Sequence, residues 1–261
     1  MGSTLLLYTT VVLFGALIGS FLNVCIHRLP RRESIVWPSS RCPACAAPIA
    51  PYDNLPILSF LFLKGRCRAC RAPISLQYPL VEAANAVGYG LILWRFDVGW
   101  PAVAYALLFS SMLVTAGIDL AHQIIPDAIT LPGIPLGLVL AATVLPIGLV
   151  DSILGVLVGG GLLWFMAWIS PYLFGKEGMG GGDIKLLAMV GAFLGWKPAL
   201  LTIMIGATAG SVVGVSLILL KVLRRDQYIP FGPFLAFGAL VALFFQQDIF
   251  AWYDTLLIVA Q

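Results

Sequence analysis

Long apolar runs alternate with short polar segments along the 261-residue chain. A run of about 20 apolar residues is long enough to cross the roughly 30 Å of bilayer hydrocarbon as a helix. Eight runs reach or approach that length: residues 4–26, 79–96, 101–120, 129–149, 152–174, 184–196, 199–221 and 231–249. The sixth is short and the seventh follows it closely, so counts of seven or nine stay open. The pattern predicts an all-α polytopic membrane protein with about eight transmembrane helices.

Composition agrees with this architecture and excludes several others. Hydrophobic residues make up 60% of the chain and charged residues only 10%, whereas a soluble domain carries about 25% charged residues. One core of this size could not hide so much apolar surface. A disordered chain, a collagen, a secreted disulfide scaffold and an ordinary soluble enzyme are therefore disfavoured.

The cations are concentrated in one polar segment, which fixes the predicted orientation. Eight of the 15 Lys and Arg residues lie between positions 28 and 71. If residues 27–78 are cytoplasmic, the same side gains five more cations: Lys176, Lys185, Lys221, Arg224 and Arg225. The opposite side keeps Arg95 and Lys197, and this asymmetry is typical of the positive-inside rule. Because that rule explains the basic segment, no nucleic acid partner is predicted.

Glycines recur four residues apart in three of the predicted helices. The sets are Gly133 and Gly137, Gly155 and Gly159, and Gly206, Gly210 and Gly214. In lipid, this spacing lets helix backbones approach closely. A nucleotide-binding glycine loop would need a preceding strand and a later acidic residue, and neither is predicted. Helix packing is the favoured interpretation.

Four of the five cysteines form two CxxC pairs with 21 residues between them, Cys42 with Cys45 and Cys67 with Cys70. Two such pairs supply the four thiolates of a structural zinc ribbon. A four-thiolate shell has no open position, so a zinc-dependent protease is disfavoured. A redox pair, two disulfides or free thiols stay open, although a cytoplasmic location disfavours disulfides. Cys25, in the first run, is interpreted as a packed apolar side chain.

Two carboxylates lie at helix ends on the predicted cytoplasmic side. Asp119 ends the third run, and Asp183 opens the sixth after three glycines. Two adjacent carboxylates cannot both ionise easily, so one keeps a proton while the other can activate water against an amide. Gly180 and Gly182 form the supporting loop, which would let a peptide approach closely. The sequence predicts a catalytic aspartate dyad.

Simpler roles exist for each of these acidic residues. Asp183 could cap the sixth helix, and Asp119 could face water at a helix end. Asp127 is a rival for Asp119, but capping the fourth helix is its simpler role. His122 is interpreted as a hydrogen-bonded bystander and not a proton shuttle. Lys185 is expected to extend toward the lipid headgroups.

The chain resembles the type IV prepilin peptidases of the bacterial inner membrane. The matching stretches occur in the family's order and cover nearly the whole chain: residues 19–30, the two CxxC pairs, 53–56, 64–67, 78–82, 119–127, 177–196 and 230–233. The resemblance implies a membrane aspartyl endopeptidase whose catalytic aspartates match Asp119 and Asp183. It also implies prepilin and type II secretion pseudopilin substrates, cut after a glycine that ends a short basic leader.

The resemblance further implies N-methylation of the new amino terminus with S-adenosylmethionine. The first cytoplasmic loop is linked with that activity in similar enzymes, and Asn23, Arg28 and Glu82 match motif positions near it. No residues are assigned to the methyl donor. The predicted division is a first transmembrane helix (1–26), a four-cysteine, zinc-ribbon-like cytoplasmic insertion (27–78) and a membrane-embedded peptidase (79–261). A peptidase without methylation, and a cation-binding transporter or scaffold, stay open as alternatives.

Overall fold

The computed structural model describes residues 2–175, 179–222, 224 and 229–259. Lys176, Glu177 and Arg225, which enter the charge count or the motif comparison above, lie outside the described residues. The α-helices in chain order are α1 Gly2–Arg28, α2 Leu58–Phe62, α3 Gln77–Phe96, α4 Trp100–His122, α5 Asp127–Thr143, α6 Gly148–Phe174, α7 Gly181–Leu194, α8 Trp196–Leu219 and α9 Gly232–Val259. Short 3₁₀ turns lie at Leu29–Arg31 and Pro51–Asn54.

Every predicted apolar run corresponds to a helix, and the all-α prediction is confirmed. Among the described residues, five helices are long and apolar enough to cross a membrane: α1, α4, α6, α8 and α9. The helices α5 and α7 have 17 and 14 residues, and α3 carries Glu82 and Arg95, which lower its mean hydropathy. The chain is a multi-pass membrane protein. The count of about eight spans is not confirmed and stays a prediction.

Residues 1–114 form one compact unit. Its core is the α1–α3 pair, where a Cβ on Gly19 would lie 2.7 Å from the Glu82 Cα. Buried polar groups there are hydrogen-bonded, as membrane-buried groups must be. The Asn85 amide donates to the Gly15 carbonyl over 2.8 Å and accepts from the Ser110 hydroxyl over 2.9 Å.

Residues 115–261 form the second compact unit, which is organised around α7. Residues 186–194 of α7 are all buried, and α7 packs against α5, α6, α8 and α9. Its 14 residues extend only about 21 Å at 1.5 Å per residue. A helix enclosed by its neighbours needs no solvent-facing stripe, which explains its continuous apolar sequence. Asp183 is the buried acidic residue of its first turn.

The glycines four residues apart lie at helix contacts, so their predicted packing role is confirmed. A Cβ on Gly155 of α6 would lie 2.2 Å from the Gly191 carbonyl oxygen of α7. On α5, a Cβ on Gly137 would lie 2.7 Å from the side chains of Ala192 and Phe193. On α8, a Cβ on Gly206 would lie 2.9 Å from the Phe234 carbonyl oxygen. These close approaches hold α5, α6, α8 and α9 in place around the element that carries Asp183.

Candidate active site and candidate metal centre

Asp119 lies in the last turn of α4 and is buried, with 5% of its surface exposed. Its Oδ2 accepts a hydrogen bond from the Gly232 backbone N–H over 2.9 Å. Gly232 is the first residue of α9, so its N–H belongs to the unpaired donors of a helix N-terminus. The alternative in which Asp119 faces water at a helix end is therefore wrong.

Asp183 is the third residue of α7 and is buried, with 4% of its surface exposed. The residue that caps α7 is Gly180, in an extended conformation, and no side chain caps the helix. The alternative in which Asp183 caps its helix is therefore wrong. Asp183 Oδ1 is buried and has no hydrogen-bond partner among the residues that the structure describes.

One apolar side chain, Ile125, contacts both Gly182, which precedes Asp183, and Gly232, whose N–H binds Asp119. A Cβ on Gly182 would lie 2.7 Å from the Ile125 Cβ, and a Cβ on Gly232 would lie 3.2 Å from its Cδ1. The space beside Gly182 is thus filled by Ile125 and is not open to a peptide. A charge on Asp119 acts electrostatically on Asp183. The two aspartates that the sequence singled out are thus both buried and close enough to interact electrostatically, and their catalytic pairing stays a prediction.

Asp127 lies in a different environment, and the expectation that its side chain caps a helix is wrong. It is the first residue of α5, after Pro126 as the capping residue, and its side chain makes no capping bond. Its carboxylate instead lies 2.5 Å from the Lys185 ammonium. Lys185 therefore pairs with a carboxylate, and its extension toward the headgroups stays a prediction. Asp127 keeps 55% of its side chain exposed, and His122 is exposed as well.

The site has the chemical character of an aspartate pair. Two nearby buried carboxyl groups resist simultaneous ionisation, because each charge loses hydration and repels the other. No ion pair links Asp119 or Asp183 to a cation within the described part of the chain. Such a pair can hold one proton and accept another, which is the requirement for water attack on a carbonyl carbon.

The four cysteines of the two CxxC pairs form one cluster in the first unit. Their sulfur atoms all lie within 4.8 Å of one another, and Cys42 Sγ is 3.9 Å from Cys70 Sγ. A tetrahedral ion with bonds of about 2.3 Å needs sulfur separations of roughly 3.8 Å. The four side chains fit a tetrahedral metal ion with small adjustments.

An internal repeat explains how the backbone builds this cluster. Residues 40–49 and 65–74 are identical at seven of ten positions. Each copy folds into a hairpin, with an isolated bridge at Arg41 and Pro48 or at Arg66 and Pro73. In each copy the first cysteine donates its N–H over 2.9 Å to the carbonyl five residues later. We call residues 40–74 the cysteine ribbon.

Electrostatic interactions within the ribbon favour the thiolate form of Cys67 and link the second hairpin to the segment between the hairpins. Backbone N–H groups of Cys70 and Ala69 lower the pKa of the Cys67 thiol to about 6, and a thiolate is the form that binds metal. The pKa of the Cys45 thiol is raised to about 11: the Ala47 N–H lowers it, but the neighbouring thiols and burial raise it more. Arg68 makes two hydrogen bonds to Asp53, at 2.7 and 2.6 Å. These bonds hold the pKa of the Asp53 carboxyl below its usual range.

The motif residues Asn23, Arg28 and Glu82 hydrogen-bond to this loop or across the helices that flank it. The Asn23 amide donates to the Tyr78 carbonyl over 3.0 Å. The Arg28 guanidinium donates to two loop carbonyls, those of Ser34 and Pro38, each over 2.8 Å. Glu82 Oε2 accepts the Ile57 N–H over 2.7 Å. The first bond joins α1 to the first turn of α3, and the bonds of Arg28 and Glu82 order the loop against α1 and α3.

Sequence reasoning missed two features of these sites. The ten-residue repeat was visible in the sequence as a recurrence of the R-C-x-A-C-x-A-P-I pattern. Gly232 lies in the 230–233 stretch, but nothing in the sequence assigns its N–H to a carboxylate 113 residues away.

Two family models and several known relatives match most of the chain. Residues 13–96 match the bacterial Peptidase A24 N-terminal domain, and residues 106–215 match the type IV leader peptidase family. A relative from Stutzerimonas stutzeri is 39% identical, over 93% of this chain and 92% of its own. One from Pseudomonas aeruginosa is 39% identical over 91% and 90%, and one from Klebsiella pneumoniae is 43% identical over 76% and 89%. The chain belongs to the type IV leader peptidase family.

All three of these relatives are named prepilin leader peptidase/N-methyltransferase. The part that matches the type IV leader peptidase family contains Asp119 and Asp183, and the A24 N-terminal match contains the cysteine ribbon. No solved structure matches the chain.

Proposed function

We propose that this protein cleaves the basic leader peptide from type IV prepilins and pseudopilins, and then N-methylates the new amino terminus. One observation carries the peptidase half: the fold buries Asp119 and Asp183, neither in an ion pair with a described cation, in the part of the chain that matches the leader peptidase family. One aspartate activates water while the other polarises the scissile carbonyl. The names of the relatives support the substrate class and both activities.

The site faces the cytoplasm from the bacterial inner membrane. The positive-inside bias of the sequence supports this orientation. A prepilin leader is basic and stays in the cytoplasm while the following apolar helix enters the bilayer. The scissile bond is then held at the cytoplasmic interface. The proposed orientation puts the last turn of α4 and the first turn of α7, which carry the aspartates, at the same face. Membrane lipid is therefore a structural partner of both enzyme and substrate.

The cysteine ribbon binds zinc, and the ion has a structural role there. The separation of 3.9 Å between Cys42 Sγ and Cys70 Sγ fits this ion. When bound, zinc supplies four strong bonds that fix a segment with little apolar core. Cys42, Cys45, Cys67 and Cys70 hold it. With all four positions taken by thiolates, the ion takes no part in peptide hydrolysis.

The insertion at residues 27–78 serves methyl transfer, and residues 79–261 serve proteolysis. S-adenosylmethionine is the methyl donor. Support comes from the names of the relatives and from the match of residues 13–96 to an N-terminal domain separate from the peptidase match. Arg28 and Glu82 support this activity by ordering the loop, and Asn23 supports it by joining the two helices that flank the loop.

Mass spectrometry of one reaction tests both activities. Purified protein in detergent is incubated with a prepilin, with and without S-adenosylmethionine. The expected result is loss of the leader in both reactions and the added mass of one methyl group only with the donor. Cleavage without methylation would leave a peptidase alone. Absence of cleavage, together with cation uptake that depends on Asp119 and Asp183, would support a transporter.

A further inference from the structure

The two buried carboxyl groups have unequal hydrogen bonding. Asp119 Oδ2 accepts the Gly232 N–H over 2.9 Å. Asp183 Oδ1, equally buried, has no partner in the described part of the chain. A buried charged carboxylate with an unsatisfied oxygen costs far more free energy than a neutral carboxyl group in the same place. A hydrogen bond donated by a backbone N–H stabilises the charged form of a carboxylate.

The Gly232 N–H lies at the start of α9, has no partner within that helix and is free to donate to Asp119. Pro233 has no N–H, and the N–H groups of Phe234 and Leu235 both donate to the Phe231 carbonyl. The positive end of the α9 dipole therefore meets Asp119 through one direct bond. Asp183 lies in the first turn of α7 and also benefits from a helix dipole. The Gly180 backbone N–H also acts on the Asp183 carboxyl group. The buried Oδ1 of Asp183 still has no partner in the described part of the chain, and this unsatisfied oxygen separates the two residues.

We propose that Asp119 is the charged, proton-accepting member of the pair, that Asp183 carries the proton, and that Gly232 is the positioning residue that fixes this assignment. The inference rests on the proposed peptidase function and deepens it. Gly232 acts through Asp119 and touches no reacting atom. The residue must be glycine, because a Cβ at this position would lie 2.6 Å from Asp119 Oδ2.

The assignment gives a balanced reaction. Asp119 takes a proton from water as the water oxygen bonds to the scissile carbonyl carbon. Asp183 gives its proton to the carbonyl oxygen, which produces a neutral gem-diol. Asp119, now protonated, gives that proton to the leaving nitrogen as the C–N bond breaks. One diol hydroxyl returns its proton to Asp183, so both aspartates regain their starting states.

Replacing Gly232 by glycolic acid through nonsense suppression tests the assignment. The resulting ester removes the N–H and adds no side chain. The control chain is made by the same suppression procedure and carries glycine. Melting temperatures compare their folding, and the rate of prepilin cleavage is measured against pH for both chains. The acid limb of the profile is expected to move to higher pH by about one unit, because a hydrogen bond to a charged group is lost. The basic limb is expected to stay in place.

A shift of the basic limb alone would place the charge on Asp183 and overturn the assignment, as would an unchanged profile. If the control chain itself does not cleave prepilin, the proposed function is wrong. That outcome is distinct from a shifted basic limb or an unchanged profile, which would overturn only the assignment. A second measurement does not depend on the ester chain. The infrared band of a protonated carboxyl group, recorded at the pH of maximal wild-type cleavage, should persist in Asp119→Asn and disappear in Asp183→Asn. The reverse pattern would overturn the assignment.

Discussion

Two close contacts fix the local geometry around the aspartates. Ile125 fills the space beside Gly182, and the Gly232 N–H meets Asp119. Close packing in protein interiors leaves little room for an added methyl group. The local geometry of Asp183 therefore depends on the absence of a side chain at Gly182, one residue earlier.

Gly182→Ala is expected to reduce leader cleavage by at least about tenfold, equivalent to about 1.4 kcal/mol of transition-state stabilisation. The new Cβ would lie 2.7 Å from the Ile125 Cβ and would displace the first turn of α7. Initial rates of prepilin cleavage measure the effect. Gly161→Ala is the matched control, because a Cβ there meets nothing within 4 Å. Equal rates for the two variants would show that this contact does not position Asp183.

At the scale of helices and loops, the sequence predicted the elements well and their contacts poorly. The eight apolar runs all fall on helices because hydropathy over some 20 residues is a local property. The aspartates were likewise found at helix ends. The pairing of Asp127 with Lys185 depends on how α5 packs against α7, which no local pattern encodes. The same holds for the bond between Gly232 and Asp119.

Gly155→Ala is expected to lower the melting temperature in detergent by about 5 °C or more, since overpacking costs roughly 1–3 kcal/mol. Its Cβ would lie 2.2 Å from the Gly191 carbonyl oxygen, a backbone atom that cannot turn aside. Gly161→Ala lies on the same helix and is expected to leave the melting temperature unchanged. Indistinguishable melting temperatures for the two variants would contradict the close α6–α7 contact.

Cys67→Ser is expected to lower bound zinc from about one ion per chain to well below half, because a four-thiolate shell loses one ligand. Elemental analysis of purified protein measures the ratio. Cys25→Ala is the matched control, because Cys25 is buried in α1 and is not part of the four-cysteine cluster. Unchanged zinc in Cys67→Ser would show that these sulfurs do not hold the ion.

At the scale of the whole molecule, the two candidate sites belong to different compact units. Residues 1–114 contain the cysteine ribbon, and residues 115–261 contain Asp119, Asp183 and Gly232. Every contact described for the aspartates comes from within the second unit. This arrangement predicts that the two proposed activities can be lost separately.

Cys67→Ser is accordingly expected to lose methyl transfer while keeping most of its leader cleavage. The ribbon would lose its shape, whereas the aspartates keep all the contacts described above. Labelled S-adenosylmethionine and a cleaved pilin peptide measure the first activity, and intact prepilin measures the second. Parallel loss of both activities in folded protein would contradict this separation.

The most direct test of the aspartate pair is cleavage of purified prepilin by wild-type protein, Asp119→Asn, Asp183→Asn and Asp127→Asn, each checked for folding by its melting temperature. Loss of cleavage is predicted in the first two variants, because each removes one of the two buried carboxyl groups. Asp127→Asn should still cut, since Asp127 is exposed and paired with Lys185. Normal cleavage by Asp119→Asn or Asp183→Asn would contradict the assigned pair and make Asp127 the next candidate.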